Sequence, residues 1–95
     1  MSFYQLESIR EACDMLTELV ESTDEFWYYS FEVTLDSAAD ILSKVEQTRD
    51  LSVKLLRILD TIDAHLDDDA VEDVKRQIQS VIDDAQIEAQ SMIGA

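Results

Sequence analysis

Residues 27–66 read WYYSFEVTLDSAADILSKVEQTRDLSVKLLRILDTIDAHL. Within this stretch Trp27, Phe31, Thr34, Ala38, Ile41, Val45, Thr48, Ser52, Leu55, Leu59, Ile62 and Leu66 recur at steps of three and four without a slip. That is the spacing of one face of a helix. No Gly or Pro interrupts it. The simplest reading is one helix over 24–66, a rod of roughly 60 Å at 1.5 Å per residue. The alternative breaks or kinks it near 48–50, where the seam turns polar and Asp50 offers an N-cap. A strand over 26–33 would suit the aromatic residues, but no partner strand is visible.

Outward from this stretch the same periodicity continues on both sides. Upstream, Leu6, Ile9, Cys13, Leu16 and Val20 mark a helix over 2–22, widened by Ala12 and Leu19. Ser2 and Gln5 match a capping box at its start. Downstream, Asp67, Asp68 and Asp69 suit the positive end of a helix dipole. A seam of Val71, Val74, Ile78, Val81, Ala85 and Met92 then carries a helix over 69–93, with Gly94 as terminator. The expected fold is all-α: a three-helix antiparallel arrangement around a long central helix. Each half would be two helices thick and would be completed to a four-helix bundle by a second copy, hence a homodimer. The alternative is a compact four-helix bundle within one chain, broken near Asp50.

Composition supports a single helical domain and excludes much else. The chain has 95 residues, one glycine and no proline, so β-turn chemistry is scarce. One cysteine, Cys13, excludes an internal disulfide and sits on the first seam as a small core residue. The first residues lack the basic and apolar regions of a secretory leader, and no run is long enough to cross a membrane. A cytoplasmic location is expected, in a cell or in a host infected by a virus that encodes the chain.

Charge is the strongest surface signal. Twenty-two acids against seven bases give a net charge of −15, which disfavours nucleic acid and anionic membranes and favours basic protein surfaces. The excess is uneven. Glu7, Glu11, Asp14, Glu18, Glu21 and Glu25 fall at steps of four and three, an acidic ridge about 27 Å long if helical. Asp40–Lys44, Asp50–Lys54 and Glu72–Arg76, by contrast, are ordinary helix-supporting pairs.

Three uses of the ridge are open: a solvated face, a docking edge for a basic protein that normally holds nucleic-acid phosphates, and adaptation to high salt. Phe26, Tyr28 and Tyr29, which cannot share the Trp27–Phe31 face, are candidates for an aromatic anchor beside it.

Catalytic and metal chemistry find no support. His65, Asp69 and Glu72 would share a face only if no turn intervened, and Asp67 to Asp69 lacks the spacing, glycine and closing glutamate of a calcium loop. There is no phosphate-binding glycine loop, and His65 is the only histidine, so no cysteine–histidine pair is evident. No cofactor is implied. The expected function is a non-enzymatic acidic protein-binding module, an inhibitor or DNA-mimic-like protein. A structural helical protein that assembles with copies of itself and a salt-adapted helical domain are the alternatives.

Overall fold

The computed structural model describes residues 3–22, 27–64 and 68–94; the side chains of residues 3, 27–30, 62–64, 68–70 and 94 are not among those described. Among the described residues every regular element is helical: α1 (Phe3–Glu21), α2 (Trp27–Ser43), α3 (Arg49–Ala64) and α4 (Asp68–Gly94), with one 3₁₀ turn, Glu46–Thr48, between α2 and α3. Each helix packs on its two neighbours in the cycle α1–α2–α3–α4, and α1 and α3 sit on a diagonal without contact. The molecule measures 42 × 21 × 18 Å. Its long axis matches the roughly 40 Å of a 27-residue helix, the length of α4.

The single rod over 24–66 is therefore corrected. The chain reverses over 44–48, and the four-helix alternative describes the fold. The reversal uses no glycine and no left-handed residue. Val45 leaves the helix in extended conformation, φ −101° and ψ 117°, and the 3₁₀ turn redirects the chain. No separate loop is needed, because the turn residues belong to the core: Val45 is 2% exposed and Thr48 fully buried.

The two polar seam residues hold this hairpin. A helix end leaves backbone carbonyls without partners. Thr48 Oγ1 lies 2.7 Å from Leu42 O and 3.1 Å from Val45 O, and Val45 N–H donates to Leu42 O at 3.2 Å. One turn into α3, the buried Ser52 hydroxyl donates to Ala39 O of α2 at 2.7 Å. Asp50 is no cap for the break; it sits in the first turn of α3, where the helix dipole favours a carboxylate.

One apolar core fills the centre. α1 contributes Ile9, Ala12, Cys13, Leu16 and Leu19, and α2 contributes Phe31, Leu35, Ala38, Ala39 and Leu42. α3 adds Leu51, Leu55 and Ile58, and α4 adds Val74, Ile78, Val81, Ile82, Ala85 and Met92. The buried stripe of α2 is rotated slightly from the expected seam: Leu35, Ala39 and Leu42 are buried, while Thr34 and Ile41 are only partly so. Because one chain already surrounds its core, dimerisation is not needed to complete the bundle. No helix of the described residues is long and apolar enough to cross a membrane.

Candidate interaction face

The core stripe of α1 fixes where its acids point. With Leu16 facing inward, 3.6 residues per turn carry Glu7, Glu11, Asp14, Glu18 and Glu21 to the opposite side of the helix. All five are exposed. They form a row about 21 Å long with one carboxylate per roughly 5 Å of axis. Glu25, the sixth expected member, and Phe26 lie outside the described residues. Tyr28 and Tyr29 fall in the first turn of α2, with side chains outside those described, so the aromatic anchor is not placed by the structure.

Little offsets this charge locally. Arg10, the one base of α1, reaches Glu7 at 4.0 Å, with both side chains more than half exposed, a geometry that contributes little. Among the described residues, Glu11, Asp14, Glu18 and Glu21 take part in no ion pair. Neighbouring like charges on a helix cost about 0.2–0.5 kcal/mol per pair, so the described row costs about 1–2 kcal/mol in low salt. Glu18 and Glu21 also crowd the negative end of the helix dipole, and no base occupies that last turn. Lys75 of α4 relieves part of this, its Nζ donating to Ser22 O at 3.0 Å.

A groove runs beside the row. An open depression of about 380 Å³ lies between α1 and α2, lined by Met15, Glu18, Leu19, Ser22 and Thr34. It shares Met15 and Glu18 with a wider one of about 540 Å³, lined also by Glu7, Arg10, Glu11 and Asp14. The apolar floor beside the acids is thus Met15 and Leu19. The signal for it in the sequence was Met15 itself, a large apolar residue just off the α1 seam.

The other candidate groups are plain. Cys13 is buried, and that burial, with the nearby Asp14 carboxylate as the smaller cause, pushes its thiol up from the ordinary value. It stays protonated at neutral pH and is a poor nucleophile. His65 lies outside the described residues and the Asp69 side chain is not described. Among the described residues no group of three or more His, Cys, Asp or Glu side chains is gathered as a metal-ligand set.

The expected ion pairs divide. Asp40 and Lys44 meet at 3.2 Å. Lys54 leans across the α3–α4 groove to Asp84 at 3.8 Å instead of back to Asp50, and Glu72–Arg76 is not among the ion pairs of the described residues.

No protein-family model, curated protein or solved structure matches the chain.

Proposed function

We propose that the protein is a non-enzymatic binding module that docks the acidic face of α1 onto a basic protein surface, blocking or occupying a site that otherwise holds nucleic-acid phosphates. The observation that carries this reading is the exposed row from Glu7 to Glu21, displayed away from the core with one base on the whole helix. Its spacing is sparser than the 3.4 Å per phosphate along one strand of B-DNA, so it suits a few arginines and lysines rather than a continuous phosphate track. The groove floored by Met15 and Leu19 supplies apolar contact beside the charges.

Acidity acquired for a saline environment would spread over every outward face. Here one helix is exempt: α1 carries five acids and one base, α2 three acids and no base and α4 seven acids and two bases, whereas α3 carries three of each. This unevenness favours the docking reading over salt adaptation. The chain's single buried cysteine suits a reducing interior, where we place the activity.

The test starts with partners captured from the native host. Their affinity is then measured by calorimetry across a salt series for the unaltered chain and for Glu11→Lys/Asp14→Lys/Glu18→Lys. Ionic docking predicts affinity that falls steeply as salt rises, and loss of binding in the triple variant while circular dichroism keeps its helical signal. Binding that survives the reversal ends the proposal.

A further inference from the structure

We propose that the outer face of α3 is a weak self-association surface, on which a second copy docks antiparallel about a two-fold axis. The residues concerned are Arg49, Val53, Leu56 and Asp60. They follow one another at steps of four, three and four, so they fall within a narrow sector of the helix. All four are exposed. Val53 and Leu56 are among the large apolar side chains that the bundle leaves in water, at 47% and 41% exposure. Arg49 and Asp60 take part in no ion pair among the described residues.

The order of these four residues is self-complementary. A two-fold axis through the midpoint of residues 54 and 55 sets Val53 against the partner's Leu56, and Leu56 against the partner's Val53. The same axis sets Arg49 against the partner's Asp60, and Asp60 against the partner's Arg49. One isologous contact thus yields two apolar pairs and two opposite-charge pairs. A parallel arrangement would set Arg49 against the partner's Arg49, so only the antiparallel one fits.

Charge selects the same face. Two chains of net charge −15 repel. α3, with three acids and three bases, is the one helix of the four that approaches a copy without adding to that repulsion. The flanking helices do add to it: α2 through Glu32, Asp36 and Asp40, of which Asp40 is paired with Lys44, and α4 through seven acids against two bases, of which Asp84 is paired with Lys54. The face is narrow, at the low end of specific interfaces, so the dissociation constant is expected in roughly the tens of micromolar. Salt should tighten the dimer, because screening relieves the repulsion between whole chains more than it weakens two short pairs. That is the opposite of the salt response expected for docking through α1.

Sedimentation equilibrium from micromolar to millimolar chain, in low and in moderate salt, tests this. The expected result is a monomer–dimer equilibrium that shifts toward dimer with salt. Leu56→Asp should weaken it by roughly 100-fold. Arg49→Asp and Asp60→Arg should each weaken it by about 10-fold, since each turns two attractive pairs repulsive. An equimolar mixture of those two variants should recover the original affinity, because the mixed pair restores every contact and carries the same total charge as two unaltered chains.

All these positions are exposed, and circular dichroism checks that each variant keeps its helices. A monomer at every concentration overturns the proposal. So does a dimer indifferent to these changes, or one that the mixture fails to restore.

Discussion

α1 and α3 occupy opposite corners of the bundle and do the same work inside it. Each turns a stripe of apolar side chains to the core, Ile9 to Leu19 on one and Leu51 to Ile58 on the other. Outside they differ. α1 spends its outer face on five carboxylates that repel one another, whereas α3 balances its charges and leaves Val53 and Leu56 in water. Burial is therefore not what separates them, because the core makes the same demand of both. What the difference teaches is that the surface of a small bundle can be composed helix by helix: one core supports mutually repelling carboxylates on α1 and balanced charge on α3.

The sharpest check is whether the insides are as equal as they look. Leu16 and Leu55 are both fully buried. Leu16→Ala and Leu55→Ala should each cost about 2–5 kcal/mol, the difference between them reflecting how far each site closes around the cavity. Urea denaturation followed by circular dichroism measures both. That loss is a large share of the roughly 5–15 kcal/mol of a typical domain. A cost near zero at Leu16 would mean that α1 is not held in the bundle, and the comparison of outer faces would lose its basis.

A smaller effect is expected at the hairpin that turns α3 back against α2. Thr48→Val keeps shape and removes the hydroxyl beside Leu42 O; Ser52→Ala removes the donor to Ala39 O. Each should cost about 1 kcal/mol, a drop in melting temperature of roughly 4–8 °C for a domain of this size. No change in either would mean that apolar packing alone makes the reversal.

These two residues also mark where the sequence stopped being legible. The apolar stripes of α1 and α4 could be read because amphipathic helices leave a three–four imprint, and the ends found for α4 lie within a residue of those expected. The exposure of Glu7 to Glu21 followed from the same geometry, since a residue half a turn from the seam has to face solvent. The reversal at 44–48 left no such imprint. Val45 and Thr48 stay in the core within the reversal itself, so the spacing runs on as though the helix did. The usual punctuation is missing too: the break comes from one extended valine and a 3₁₀ turn whose threonine hydroxyl reaches the carbonyls of Leu42 and Val45, not from a glycine or a proline. The polar side chains of Thr48 and Ser52 were visible as defects in a seam. Their role as clamps depends on carbonyls that only the folded hairpin brings within reach.

The smallest effect bears most directly on why α1 differs from α3. If its carboxylates are kept for docking, they are kept against the interest of the fold. Glu11→Gln/Asp14→Asn/Glu18→Gln should then raise stability in low salt by about 1 kcal/mol, through relief of like-charge neighbours, and the gain should shrink as added salt screens the repulsion. Asp50→Asn/Arg57→Gln on α3 removes one charge of each sign and should change stability by no more than about 0.5 kcal/mol. Paired thermal melts at low and high ionic strength measure both. A stabilised α1 variant that also loses its partner would place stability and binding in opposition at the same residues. A destabilised one would show instead that the row supports the helix, and the cost from which its use was inferred would vanish.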